Sequence, residues 1–466
     1  MVQMKGIQRK LKPKEVLEKL ERTTDATLFY SGEYARDLLR RKQSTNIEVV
    51  VRGLPLLEIA AFIKKYYNNI RIDKVNGAIT ISANGKDIVL YLPRKGGKPD
   101  PSATLKEDAK DRILTLNALY LPIAYKNRMK SLIDPYSGLG HLRRKTLSTV
   151  VKADSMIKSN PSIMMSAMAI AAKLGYRIDT NLFYAIKANA KLAEKLSIEE
   201  IRDAFITILL CNKPSRYIKL LKDTNLLSVI LPEIDLCDGI IQNKKYHKYD
   251  VFRHCVVACD ATDPTVVMRL AALLHDVGKP VTVKEIFKNG TARVTFYDHE
   301  VVGAKVARKM LRRLKFDDEI VTEVSELVYN HMYNYEPERW TDAAIRRFIK
   351  RFGITAENVD SLATMPVFLL RQADRAASGR DLKKISPRQY DLEDRIREMI
   401  DSTKGIKVTD LAVDGAIVMS AFSLQPGPTV GHILNYLLSK VAEDPALNTK
   451  EKLLEEISNY LSSALK

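Results

Sequence analysis

From Asp134 to Lys466 strand signals nearly vanish, and apolar residues recur at helical spacing, interrupted by "NKPS", "LPEID", "RFGIT" and "QPGPT". Such a stretch can bury its apolar stripes only by bundling helices. Residues 26–125 read differently. "ATLFY", "NIEVVVR", "RIDKV", "AITISA" and "DIVLYLP" are short β-rich runs, separated by the helical patterns "EYARDLLRRK" and "LPLLEIAAFIKKYY". The pattern predicts an α+β chain: a small mixed α/β head followed by a mostly helical body. "PRKGGKPDPSATLKED" reads as a mobile Gly/Pro/Lys-rich loop. "TVKEIFKNGTARVTFY" reads as a hairpin turning at Asn289-Gly290. At 466 residues the chain exceeds a single core. No internal repeat or low-complexity tract is visible.

Charge and cysteine usage narrow the function classes. Lys+Arg 75 against Asp+Glu 56 leaves a net charge of +19, which suits a polyanionic partner, RNA rather than membrane. The longest apolar stretch, around "SIMMSAMAIAA", is far short of the ~20 residues of a bilayer span. No apolar segment follows the basic N-terminus, so no secretory signal is read. Four cysteines without a CxxC pair fit a reducing, cytoplasmic setting, and Cys211, Cys255 and Cys259 read as core thiols.

Five of the seven histidines fall between His247 and His331. They lie in "YHKYDVFRH" (His247, His254), "ALLHDVGKP" (His275, beside Asp276), "YDHEVVGAKVA" (His299) and "VYNHMY" (His331); "LLRQADRA" adds Asp374. Burying a carboxylate beside an imidazole costs several kcal/mol, about as much as for any unpaired charge, unless a partner compensates it, and a metal ion is the commonest partner. A helix C-terminus, with Gly278 as cap, Lys279 on the last carbonyls and Pro280 as stop, explains the same segment locally, and both readings can hold. Imidazole and carboxylate together suit a first-row divalent ion, and Asp276 has two oxygens with which to bridge two ions.

The ordered set His254, His275-Asp276 and Asp374 resembles the HD phosphohydrolase superfamily, in which His299 and His331 would complete a second metal site. The resemblance implies a divalent transition metal (Mn, Ni, Co or Fe), metal-assisted phosphoester hydrolysis with His275, Asp276 and Lys279 as the catalytic group, and a helical domain to house them. His247 is expected to cap a turn or face substrate.

The rest of the chain resembles the tRNA nucleotidyltransferase/poly(A) polymerase family. "GEYARDLLRRKQSTNIEVVV" is similar to its GGxVRD…DxD signature, "DRILTLNALY" to its RRDFTINA element and "IDPYSGLGHLRRKTLSTV" to its IDPxGGxxDL element. "NPSIMMSAMAIAAKLGY" is similar to its EDPxRxxRAxRFAAxLG helix, and "VDGAIVMSAFSLQPGPTVGHILNYLLSKVAEDPALN" to its tail. Gly32, Arg36, Asp37, Arg112, Thr115 and Asn117 keep the pattern. The departures fall on the chemistry. Asn46 and Glu48 stand at the two aspartate positions, Val89 at the third carboxylate, with Asp87 two residues earlier, and Glu33 at the second glycine. Ile163, Ser166 and Ala169 replace three arginines, so that face is expected to bury itself instead of selecting a base.

The chain is accordingly expected to divide into an N-terminal extension (1–25), a degenerate nucleotidyltransferase-like head (26–130), a helical RNA-binding neck (131–240), an HD domain (241–380) and a helical tail (381–466). Basic clusters at Arg143, Arg144 and Lys145, and at Arg346 and Arg347, are candidates for RNA phosphates. The expected function is an RNA- or tRNA-associated HD phosphohydrolase acting on nucleotide or RNA-end phosphates, its head inactive. One alternative is a working CCA-adding transferase that holds Mg²⁺ with Glu48 and Asp87. The other is a non-catalytic RNA-binding protein.

Overall fold

The computed structural model describes residues 12–44, 46–83, 85–124, 130–243, 247–288, 291–333, 337–379, 387–403 and 407–464. In chain order the head runs α1 (Pro13–Thr23), β1 (Thr27–Tyr30), α2 (Gly32–Leu39), β2 (Ile47–Arg52), α3 (Leu56–Lys64), β3 (Ile70–Asp73), β4 (Ala78–Ala83) and β5 (Lys86–Tyr91). It continues through β6 (Arg94–Lys95), β7 (Lys98–Pro99), α4 (Leu105–Lys110) and β8 (Leu121–Pro122). The main sheet has the order β3-β4-β5-β2-β1-β8. Within this sheet, among the described residues, only β2 and β5 pair in parallel, with Ile47 opposite Ile88 and Glu48 opposite Val89. Period-two alternation on β2 separates two layers. Val49 and Val51 enter the main core with Ile59, Ile63, Ile79 and Leu90, whereas Val50 packs on the other face with Leu105, Ala109 and Tyr120.

Two segments differ from the sequence expectation. Helix α1 lies within the range set apart as an extension, yet Val16, Leu17 and Leu20 are buried in the head's core. Its apolar stripe has no other place to go. "PRKGGKPDPSATLKED", expected to be a mobile loop, is structured. Gly96 and Gly97, at φ 56° and 80°, close the β6–β7 hairpin, and Thr104 and Glu107 form a reciprocal capping box on α4.

Beyond the head, helices dominate, as α5 (Gly138–Arg144), α6 (Ala153–Ser159) and α7 (Ser162–Leu174) begin to show. The hairpin at Lys284–Lys288 and Thr291–Thr295 is present, with Lys288 opposite Thr291; Asn289 and Gly290, expected to turn it, lie outside the described residues. Compactness divides the chain into two units, residues 1–240 with 264–270 and 308–321, and residues 241–263 with 271–307 and 322–466. In the second unit, helices Gly415–Phe422, Pro428–Glu443 and Lys450–Ala464 share a separate core around Val418, Ile433, Leu437 and Ile457. All four cysteines are buried, and none is in a disulfide. Among the described residues no helix is long and apolar enough to cross a membrane.

Candidate functional site

The helix Val266–Leu274 ends in a tight turn, with the N–H groups of Val277 and Lys279 donating to Leu274 and Asp276 carbonyls, and this turn aims His275 and Asp276 inward. Gly278 lets the chain pass against the backbone of His299 and Gly303, at the start of the helix His299–Arg313. His254 comes from the helix Val251–Asp260, His331 follows the helix Asp318–Asn330, and Asp374 comes from the helix Pro366–Ala377. The structure thus brings together all six residues singled out as metal ligands, every one of them buried.

The two oxygens of Asp276 face different partners. Oδ2 lies 3.3 Å from His275 Nε2 and 3.7 Å from His254 Nε2, while Oδ1 lies 3.3 Å from His299 Nε2 and 3.6 Å from His331 Nε2. Two groups of close donor atoms result, His254–His275–Asp276 and Asp276–His299–His331, sharing the aspartate. Asp374 Oδ1 joins the first at 2.9 Å from His254 Nε2.

Hydrogen bonding tests whether these groups suit metal ions. Nδ1 of His275, His299 and His331 faces the carbonyls of Ala272, Phe296 and Val328 at 2.8, 2.7 and 2.6 Å. A carbonyl only accepts, so each Nδ1 carries the proton and a neutral ring turns a lone pair on Nε2 inward. Those nitrogens sit close together: 3.2 Å between His254 and His275, 3.3 Å between His299 and His331. Such spacing repels without a cation between the pair, and approximates the ~3.3 Å edge of a tetrahedron with ~2.0–2.1 Å metal–nitrogen bonds. The donor set fits one or two divalent ions. His254 differs, because its buried Nδ1 has no hydrogen-bond partner among the described residues.

The electrostatics follow from burial against pairing. Burial alone would raise Asp276, but Lys279 and His275 drive it well below the usual carboxylate range; burial likewise opposes Asp374, which Arg371 and His254 bring down. Burial lowers His275, and Asp276 and Asp374 outweigh it to leave that ring raised. Burial pushes His331 down to about 4 and, with Lys279 nearby, His247 to about 4. Lys279 Nζ lies 2.6 Å from both Asp276 Oδ2 and Gln242 Oε1. His247 stands edge-on to His254 at 5.0 Å, with Nδ1 3.4 Å from Ser378 Oγ. The sequence reading missed Gln242 and Arg371, whose guanidinium bonds Asp374 at 2.6 Å. A one-turn Arg–Asp spacing signals Arg371; nothing local signals Gln242.

In the head, Glu48 leaves β2 toward Gly32. Its carboxylate fills the space where a Cβ at Gly32 would stand, and the Glu33 N–H bonds it. Gly32 has φ +60°, so a side chain there meets both strain and the carboxylate. Burial raises Glu48's pKa against the pull of Arg112. Asp87 shares that sheet face but accepts from Ser82 Oγ at 2.6 Å, and Asn46 is exposed. Arg36, 1% exposed, bonds Asp37 at 3.1 Å and Asn117 at 3.3 Å, while Arg112 reaches Asp108, Ser31 and the Asn117 carbonyl. These arginines tie α2 to the turn Thr115–Asn117. Glu33 pairs with Arg36 and Lys173 at 3.3 and 3.6 Å.

Comparison with known proteins agrees with both halves. The HD domain family matches residues 246–402, and a family described as a probable RNA and SrmB-binding site of polymerase A matches residues 175–237. An A-adding tRNA nucleotidyltransferase of Deinococcus radiodurans is 29% identical over 344 residues, 72% of this chain and 74% of that protein. A CC-adding tRNA nucleotidyltransferase of Thermus thermophilus is 30% identical over 62% of this chain and 64% of its own length. The chain is thus similar to tRNA nucleotidyltransferases over most of its length, and its residues 246–402 match the HD domain family. The fold agrees. The Bacillus stearothermophilus CCA-adding enzyme in complex with CTP aligns at TM-score 0.59 and 19% identity, over 97% of this chain and 99% of that one. The Thermotoga maritima CCA-adding enzyme complexed with tRNA aligns at 0.55 and 16%, over 97% of each.

Helix α7 departs from the expected self-burying face. Ile163 is buried, but Ser166 is exposed and Ala169 only half-buried, because a bundle contact covers only one stripe of the helix. Of the basic candidates, Arg143, Arg144, Lys145 and Arg347 are exposed. Arg346 is half-buried, with its Nε covered.

Proposed function

We propose that this chain binds tRNA and acts at its 3′ end, with nucleotidyl transfer in the head as the first reading. The likeness to proteins named for adding A and CC to tRNA, over 72% and 62% of the chain, carries it. Glu48 on β2 and Asp87 on β5, with the side-chain oxygen of Asn46 just before β2, are the groups that would hold Mg²⁺, which would supply positive charge against a triphosphate. Arg36 and Arg112 keep the turn beneath them rigid. The long reach of Glu48, its contact with Gly32 and the loss of three arginines on α7 set such transfer below that of a chain with the full motif. The test is incorporation of labelled CTP and ATP into tRNA lacking its CCA. Incorporation abolished by Glu48→Ala supports the reading; no incorporation above the Glu48→Ala level overturns it.

One observation favours a second reading, metal-dependent hydrolysis of phosphoesters on nucleotides or RNA ends. The two His/Asp groups around Asp276 are complete and buried, and Lys279 and Arg371 hold the carboxylates in place. A divalent ion there would polarise a phosphoryl oxygen. Hydrolysis of 2′,3′-cyclic AMP or of an RNA 3′-phosphate, lost in Asp276→Ala, supports this reading. Equal rates in wild type and variant remove it.

A further inference from the structure

Helix α7 meets the head at α2. Lys173 Nζ lies 3.6 Å from Glu33 Oε2, and Arg36 Nη1 lies 3.3 Å from Glu33 Oε1. A second contact sits at the other end of α2, where the guanidinium of Arg40 stands over the ring of Tyr176, just past α7, at 5.6 Å. Ser166, Ala169 and Lys173 follow one another at i, i+3 and i+7, so they share one face of α7. Ser166 and Lys173 are exposed there, and Lys173 reaches the head from that face.

Glu33 is an anion in surroundings that favour one. It stands in the first turn of α2, and the cations of Arg36 and Lys173 both face it. Its backbone N–H bonds Glu48, so its carboxylate lies beside the group that would hold Mg²⁺. The phosphates of a nucleotide carried on that ion would come to the same end of α2 and meet the same two cations. A side-chain carboxylate already engages them. Arg36 is buried at 1% exposed, but Lys173 and Glu33 are open to solvent, and an exposed ion pair is weak enough to be displaced.

We propose that the Glu33–Lys173 pair is a self-blocking contact: Glu33 stands in for a substrate phosphate and keeps Lys173 engaged until a nucleoside triphosphate displaces it. It rests on the reading of nucleotidyl transfer in the head, and adds to that reading a brake and a cation held in reserve. Two effects then separate. Neutralising Glu33 removes a direct repulsion, worth roughly fourfold in affinity for unit charges ~5 Å apart in water. It also releases Lys173 to the phosphates, which happens only while Lys173 is present.

The test is equilibrium dialysis of labelled CTP with Mg²⁺ against the full chain, its Glu33→Gln and Lys173→Gln variants, and the double variant. The control, Glu18→Gln, removes the same charge from the Lys14–Glu18 pair on α1, whose exposure of 60% and 36% matches the 61% and 40% of Lys173 and Glu33. Glu33→Gln should tighten CTP about tenfold in the chain with Lys173 and only about fourfold in the chain with Lys173→Gln, where repulsion alone is relieved. The control should change it less than twofold. Equal gains in the two backgrounds would reduce Glu33 to simple repulsion and overturn the proposal, as would no gain, or a gain matched by Glu18→Gln. CTP bound equally by wild type and Glu33→Gln removes the contact and leaves the transfer reading standing. CTP bound by no chain removes both. Incorporation into tRNA lacking its CCA, run in parallel, tests transfer by itself: a coupled gain in binding without incorporation keeps the contact and removes the reaction.

Discussion

Gly278→Ala isolates the packing on which half of the His/Asp centre depends. A Cβ at Gly278 would overlap the His299 carbonyl oxygen and stand 2.6 Å from Gly303 N and 2.9 Å from its Cα. Those partners are backbone and cannot rotate away, and ordinary contact is ~3.5–4.0 Å, so the helix His299–Arg313 must retreat by about 1 Å. Overpacking of this kind costs about 1–3 kcal/mol. For a unit of this size that is roughly 2–12 °C of Tm. The retreat carries His299 away from Asp276 Oδ1, now 3.3 Å distant, and leaves His254, His275 and Asp276 Oδ2 in place. Elemental analysis after Mn²⁺ loading should show about one equivalent less metal than wild type. Gly303→Ala is the graded comparison, because its Cβ would meet Gly278 N at 3.2 Å and Val328 Cγ1 at 3.4 Å, contacts that a small shift relieves. Wild-type Tm and metal content in Gly278→Ala, or a larger loss in Gly303→Ala, would refute the argument.

Other outcomes follow from the same geometry. Asp276→Ala should remove metal from both His/Asp groups at once, whereas His331→Ala should spare the His254 side; elemental analysis distinguishes them. Lys279→Met strips Asp276 of a buried partner and should cost about 3–5 kcal/mol in chelator, less once Mn²⁺ supplies the missing positive charge. Equal losses with and without metal, read by thermal melting, would show that Lys279 does not compensate the carboxylate. Glu48→Gln should stabilise the head at neutral pH, since burial raises the Glu48 pKa and the folded chain bears the cost of a desolvated charge. The advantage should shrink as pH falls through that raised pKa, where Glu48 itself becomes neutral. A variant advantage that grows on acidification would contradict this sign. If Glu48 acts as a base or metal ligand in nucleotidyl transfer, that activity should fall over the same raised window.

The sequence by itself determined the elements and the chemistry that each carries. Alternation in "IEVVVR" and helical spacing beyond Asp134 state which face of each element is apolar, because that information is local. Histidine clustering and the His275-Asp276 doublet stood out for a similar reason: ligand identity is a property of the residue. "PRKGGKPDPSATLKED" misled because its Gly-Gly and Thr-x-x-Glu signals for a hairpin and a capped helix were read as loop composition. What local pattern leaves open is which apolar faces meet. Only the tertiary structure decided that α1 completes the head's core, that Asp374 reaches His254 from 120 residues away, and that Gln242 supports Lys279. It also decided that the two oxygens of Asp276 divide four histidines into pairs, and that Glu48 turns onto Gly32. The pair Glu33–Lys173 likewise exists only once α2 and α7 are packed, because neighbours from distant helices are chosen by the packing of whole elements and not by the residues within any one of them.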